Sequence, residues 1–314
     1  MRKPKLKTVT RTQGNNQALK DGIVSPKTFT FDFEEIPVLV HGFRRMVREQ
    51  AYDISEMALT TYICAKEHGA RFTALPIFLV RDFHHGALQY NINAGINHPK
   101  DLEGKKVGVN RGYTVTTGVW ARSILQEEYG VDLSKITWVL SGDEHVAQYQ
   151  PPENVVPVPP GKDMAEMLAA GELAAAIGIK VEDDNVTALI PNALDAGLNA
   201  VRERGVYPIN HLIVVKDELL KAHPDLAVDI FNTFVASKQI YLEKLKAGRI
   251  ENPTPIDSVH QQVLTTLDDP LPYGVEPNRQ VLEQLIQHAR TQNIIRKPVD
   301  VETLFVPSTL DLAG

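Results

Sequence analysis

A single cysteine, Cys64, stands in a chain of 314 residues, which excludes an intramolecular disulfide and any cysteine-rich zinc or iron–sulfur site. No apolar run approaches the ~18 residues of a membrane-spanning helix. The glycines form neither a Gly-x-Gly-x-x-Gly turn nor a Walker loop, so nucleotide binding has no basis in the sequence. There is no His-Glu-x-x-His motif or acidic calcium loop, and the adjacent His84 and His85 are badly spaced for a shared ion, so no metal is implied. Positive charge is in deficit as well. Thirty-three Lys and Arg against 39 Asp and Glu leave a formal charge of −6, which argues against a nucleic-acid partner. Behind the basic start comes the polar stretch Thr8 to Asn16, where a secretory signal would carry roughly 7–15 apolar residues. A cytoplasmic protein without a membrane partner is therefore expected.

Hydrophobic residues at 43% and charged residues at 23% are ordinary for a globular chain. A chain of this size buries about three-quarters of its extended surface on folding and suits two lobes better than one domain. Thr28 to Glu34 sets Phe29, Phe31 and Phe33 against Thr30 and Asp32, the period of a half-buried strand. A helix is expected over Val38 to Gln50, with Val40, Phe43 and Val47 on its apolar stripe. Tyr52-Asp53-Ile54 reads as a short strand, after which Ser55 is expected to cap a helix running to about Glu67. Phe72 to Val80 is an apolar strand, and Ala87 to Asn93 continues extended. A second block has strands at Lys106 to Val109, Ile136 to Leu140 and Ala174 to Ile179, with helices at Tyr113 to Tyr129 and Asp163 to Ala170. Beyond Pro208, one strand (Leu212 to Val215) precedes helices over Asp225 to Ala247 and Pro277 to Arg290. The alternation is that of an α/β protein. The helical tail is expected to return to the first lobe, giving lobe 1 as residues 1–92 and 206–314 and lobe 2 as residues 93–205.

Several segments carry a family resemblance. They include Ser55-Glu56-Met57-Ala58-Leu59-Thr60-Thr61-Tyr62, Pro76-Ile77-Phe78 with Arg81, Phe83 and His85, and Val119-Trp120-Ala121-Arg122. Others are Glu128-Tyr129-Gly130-Val131, His211 before Leu212-Ile213-Val214-Val215, Tyr273-Gly274-Val275-Glu276-Pro277-Asn278-Arg279, and Glu302-Thr303-Leu304-Phe305. In this order the chain resembles the 4,5-dihydroxyphthalate decarboxylase family, built on the type 2 periplasmic-binding-protein fold. The resemblance implies two lobes joined by a hinge, with the ligand in the cleft between them. It also implies loss of one carboxylate from a hydroxylated aromatic diacid, with no redox step and no organic cofactor.

Such chemistry needs a carboxylate anchor, a group acting on the phenol and a proton donor. Arg81 follows an apolar strand, where a guanidinium can hold a carboxylate through two parallel hydrogen bonds, and His84 or His85 beside it can move a proton. A structural pairing of Arg81 with Asp82 or Asp53 fits the same residues. The family more usually has arginine at His84. Ser55 and Glu56 suit a hydroxyl contact and a phenol-proton acceptor, or equally a plain helix cap with a first-turn acid. Arg111, Tyr113, Thr114 and Thr116 lie in the turn opening a second-lobe helix, a natural anion site. Arg111 departs from the family's acidic-aromatic turn and can replace the cation missing at His84. His211, before the return strand, is the second candidate for proton transfer. Asp143-Glu144-His145 reads as a solvated cluster, and Trp120 and Met57 as core.

The expected function is decarboxylation of a hydroxylated, phthalate-like aromatic acid. The rival is a binding protein for a small aromatic or sulfonate-like anion, and a thiamine-pyrimidine type of enzyme ranks last because its cysteine-rich signature is missing. A homo-oligomer is left open.

Overall fold

The structure, a computed structural model, describes residues 3–314. Strands β1 (Lys5–Val9), β2 (Thr30–Phe33), β3 (Ile54–Ala58) and β4 (Phe72–Arg81) build one sheet, and β5 (Leu88–Asn91), β6 (Lys106–Val109), β7 (Thr137–Leu140), β8 (Val155–Pro157), β9 (Ala175–Ile177) and β10 (Val186–Ala188) build another. Strand β11 (Ile209–Lys216) returns to the first sheet, whose order is β2-β1-β3-β11-β4. It runs antiparallel to both neighbours. The order of the second sheet is β10-β5-β9-β6-β7-β8.

The composition of each strand follows its depth. All five residues of β3 are buried and β4 is almost wholly so, as expected where helices cover both faces of a sheet. Edge strand β2 keeps the alternation read from its phenylalanines, and the Phe31 ring meets Phe234 edge-on at 6.1 Å. The helix Leu39–Glu49 ends on Gln50 in the left-handed region (φ 51°), and Thr116–Tyr129 ends on Gly130 (φ 65°). Asp163 caps Met164–Ala169 by accepting from the amides of Ala165 and Glu166.

Three expectations change. Ser55 caps nothing: β3 continues to Ala58 and the helix begins at Leu59, because the Ile54–Ala58 backbone is paired with β1 on one side and β11 on the other. The second-lobe helix starts at Thr116 rather than Tyr113. The basic N-terminal start runs into β1, in which Lys5 and Lys7 flank a buried Leu6 and obscure the strand pattern. Helices Ala193–Arg204 and Pro255–Val263 add to the elements expected from the sequence.

The chain leaves the first sheet at residues 82–87, because β5 pairs with β9 and β10, and it returns at residues 205–208. The two crossings touch, the Asp82 amide donating to Pro208 O at 3.3 Å. One apolar core runs through both sheets, from Val9, Met57 and Phe78 to Val107, Trp138 and Ile177. The C-terminal helix Arg279–Thr291 carries this packing across: beyond it, Gln292 accepts from Arg122 Nε (2.8 Å) and donates to Val119 O (3.0 Å).

Asp229, on the long helix Leu226–Lys246, accepts from the amides of Lys27 (3.0 Å) and Thr28 (2.7 Å) and from the Thr28 hydroxyl (2.6 Å). Burial raises its pKa, but the bonds from Thr28 and Lys27 outweigh burial and leave it below the ordinary 3.8. With a depressed folded pKa, its stabilisation is complete above about pH 4 and lost as the pH falls through the folded value. Asp229→Ala should cost about 1–3 kcal/mol near neutrality and less in acid, as read from urea unfolding at several pH values.

Candidate active site

The carboxyl ends of β1, β3 and β4 meet at one edge of the first sheet, where open α/β sheets hold their ligands. In the β3–β11 register Glu56 lies opposite Ile213 and His211 opposite Ala58, so Glu56 and His211 are diagonal neighbours on one face. His211 Nδ1 stands 2.7 Å from Glu56 Oε1. The other carboxylate oxygen accepts from Thr10 Oγ1 (2.8 Å) and the Arg11 amide (3.0 Å). Glu56 is fully enclosed; burial pushes its pKa up, and the bond and charge of His211, with Thr10 and Arg11, pull it below the ordinary value. An ionised carboxylate only accepts, so the proton of this bond sits on Nδ1 and leaves Nε2 to meet a ligand. The His211 side chain keeps 19% exposure, and the Phe43 ring stands edge-on to it at 5.0 Å. A carboxylate that fixes the tautomer and orientation of a partly exposed imidazole is an acid–base device.

A second cluster faces it from the other lobe, in the loop after β7. Arg48 reaches across to Asp143 (2.9 Å), Glu144 O (2.6 Å) and His145 O (3.1 Å), and Arg44 pairs with Asp143 at 2.6 Å. The His145 ring lies 6.2 Å from Phe43. Expected to be solvated, His145 is only 3% exposed, and neither ring nitrogen has a hydrogen-bond partner among the described residues. Burial, reinforced by Arg44 and Arg111, pushes its pKa down to about 4. An unpaired buried polar group costs roughly 1–3 kcal/mol, so this arrangement is unfavourable until something pairs with the ring. Nothing in the sequence around His145 signals it, since the contacts that bury it come from the other lobe.

The remaining candidates divide. Arg111 (φ 70°) is exposed and makes no side-chain hydrogen bond or ion pair among the described residues. It borders a cavity of about 110 Å³ with Asn110, Thr117 and Gly178, at the start of the helix Thr116–Tyr129. Its neighbours are committed to internal contacts. Tyr113 is buried beneath the Arg122 guanidinium, 3.8 Å from the ring centre. Thr114 donates to Glu144 through its amide (3.2 Å) and hydroxyl (2.6 Å). The Thr116 hydroxyl is 2.9 Å from that of Thr60, so it ties the lobes together instead of facing a ligand.

Five first-lobe expectations need correction. Glu56 is too enclosed to touch a phenol, and its carboxylate is bonded to His211 instead. Ser55 Oγ is buried and donates to Glu56 O. Arg81 is 3% exposed; it donates to Tyr207 O (2.8 Å), Pro272 O (3.4 Å) and Asn278 Oδ1, and only Nε lacks a partner among the described residues. With both Nη groups engaged, no parallel fork remains for a carboxylate. Burial also pushes its pKa down to about 10. His84 is enclosed against Asn210 Oδ1 (2.8 Å), and burial lowers its pKa. His85 contacts Glu128 at 3.0 Å, and Glu128 also pairs with Arg204, so His85 belongs to a second-lobe constellation apart from the Glu56–His211 pair.

A larger cavity, about 840 Å³, adjoins the loop after β1. Arg11, Gln13, Arg81, Tyr241, Lys244 and His260 are among its walls, and it has no wall residue from 93–205. Among the described residues no group of three or more His, Cys, Asp and Glu side chains could hold a metal ion. No helix among them is long and apolar enough to cross a membrane.

No family model matches the chain. The 4,5-dihydroxyphthalate decarboxylase of Comamonas testosteroni is 30% identical to it over 305 residues, covering 92% of this chain and 90% of that protein. The chain belongs to the 4,5-dihydroxyphthalate decarboxylase family. A family member of that name from Pseudomonas putida is 34% identical over 163 residues, 49% of this chain and 60% of that protein. Among solved structures, the alkanesulfonate-binding protein SsuA of Xanthomonas axonopodis pv. citri superposes with a TM-score of 0.55 at 13% identity, covering 98% of this chain and 99% of that one. At that identity the likeness establishes the fold: this decarboxylase family member has the two-lobed periplasmic-binding-protein architecture.

Arg81→Ala should act on stability before it acts on substrate. Tyr207 O and Asn278 Oδ1, left without their donor, should lower the unfolding free energy by about 1–3 kcal/mol or more, seen as a fall in the urea midpoint.

Proposed function

We propose that this protein is a carboxy-lyase acting on a hydroxylated aromatic acid of the phthalate type, with 4,5-dihydroxyphthalate as the first substrate to test. The observation that carries the reading is the Glu56–His211 pair, a buried carboxylate 2.7 Å from a partly exposed imidazole, in a chain of this decarboxylase family.

In 4,5-dihydroxyphthalate each hydroxyl is para to a ring carbon that bears a carboxylate. Removal of the phenol proton lets the oxygen's electron pair move through the ring toward that carbon. A proton is delivered there, and the ring becomes a dienone with a tetrahedral carbon. The bond to the carboxylate then breaks, its electron pair returns to the ring, carbon dioxide leaves, and the aromatic phenolate is restored. The phenolate then regains the proton its hydroxyl gave up, so that overall one proton is consumed and no electrons are exchanged with any other reagent.

His211 Nε2 is the group suited to deliver the ring proton. Glu56 stabilises the imidazolium before transfer and holds the ring in place after it. Arg111, and Arg11 at the edge of the first sheet, are exposed cations without side-chain partners among the described residues, and they suit the substrate carboxylates. Phe43, buried between His211 and His145, braces the His211 ring from one side.

Purified protein incubated with hydroxylated phthalates and benzoates should release carbon dioxide, with a matching change in ring absorbance. Tight binding without release would instead favour the binding-protein reading. His211→Ala should lower kcat by roughly 10²–10⁴-fold with little change in KM. Glu56→Gln should lower kcat by a smaller factor, and Arg111→Ala should mainly raise KM. Unchanged kinetics in the His211 variant would remove the proposed proton donor.

A further inference from the structure

We infer that His145 is a second substrate-contacting imidazole, supplied by the second lobe, and that it hydrogen-bonds a ring hydroxyl of the substrate. This rests on the decarboxylase reading above and adds to it the means by which a hydroxylated ring is told from a plain one.

His145 stands in the loop that follows the carboxyl end of β7, and its ring shares a neighbour with His211: the Phe43 ring is 5.0 Å from one imidazole and 6.2 Å from the other. The loop is clamped from the first lobe through Arg44 and Arg48, which holds His145 beside Phe43. Both ring nitrogens are enclosed without a partner among the described residues, in contrast to His84 and His85, each of which has one nitrogen engaged.

The charges around it determine what the ring can bind. Arg44, Arg48 and Arg111 approach the loop, with Asp143 as the opposing charge, and burial in this company keeps the imidazole neutral near neutral pH. A neutral imidazole offers one N–H and one lone pair. A carboxylate can use only the first, and it already has exposed arginines to bind. A phenol hydroxyl, which both donates and accepts, uses what His145 has, and the phenolate formed during the reaction accepts the same N–H more strongly. Proton delivery therefore falls to the first lobe, through His211, and hydroxyl recognition to the second, through His145.

The test compares the affinities of 3,4-dihydroxybenzoate, which is what loss of one carboxylate from 4,5-dihydroxyphthalate leaves, and of benzoate, in wild type and in His145→Phe. Wild type should bind the dihydroxy acid at least 10-fold tighter than benzoate, and the variant should bind the two within about 2-fold of each other. Because an apolar ring of similar shape removes the unpaired nitrogens, the ligand-free variant should keep its Tm or gain about 2–4 °C. His145→Gln, with one donor and one acceptor, should retain part of the preference. A variant that keeps the full preference, or a wild type that shows none, overturns the inference. So does a large fall in the Tm of ligand-free His145→Phe, which would mark the ring as a structural part of the fold. Carbon dioxide release by wild type is scored separately. Release with an unchanged preference in the variant sinks this inference alone, whereas discrimination without release sinks only the catalytic reading.

Discussion

A carboxylate enclosed in a sheet must be matched by donors, and the neighbourhood of Glu56 is organised around that requirement. His211 supplies one bond, and Thr10 and the Arg11 amide supply two more. Asn16 then ties the loop back on itself by donating to Thr10 Oγ1 (3.0 Å) and Arg11 O (2.9 Å). The loop after β1 is thereby held across the end of β3, and Arg11 is carried to the edge of the sheet. Removal of the charge at Glu56 would release the loop as well as the imidazole, so the acid–base pair and the shape of the first lobe's edge are one structure.

The second lobe is joined to this edge by contacts of a different kind. Two arginines from the helix Leu39–Glu49 grip the loop after β7, and two threonine hydroxyls from opposite lobes meet 2.9 Å apart. The arginine contacts are half-exposed ion pairs and backbone bonds, each of modest strength. They hold together an arrangement in which both nitrogens of His145 go unpaired. A modest attraction set against a desolvation cost is the balance that a ligand can tip by adding a few hydrogen bonds. The shared apolar core and the hydrogen bond of Arg122 to Gln292 also join the lobes.

Much of the architecture was legible because burial on both faces leaves its mark on local sequence. The apolar run of β4, the phenylalanine alternation of β2 and the glycine that stops the helix Thr116–Tyr129 each follow from a short stretch of chain. Helices with mixed surfaces, such as Ala193–Arg204, left no such mark. The error at Ser55 has a specific cause. A serine followed by an acid before an apolar helix has the pattern of a helix cap, yet the backbone there is claimed on both sides by neighbouring strands, one of them contributed from more than 150 residues away.

The alternating α/β order, the family and the candidate residues, Glu56 and His211 among them, can be read from local sequence, because periodicity and motif are local properties of the chain. The contacts those residues make come from the assembled fold. It encloses Glu56 against His211, and it uses up the hydrogen bonds of Arg81, Thr114 and Thr116 in holding the protein together. It also buried His145, a residue with no motif around it, beside the same phenyl ring as His211. Hydrogen-bond partners and desolvation depend on which distant segments arrive at a side chain, and no local stretch of sequence encodes that.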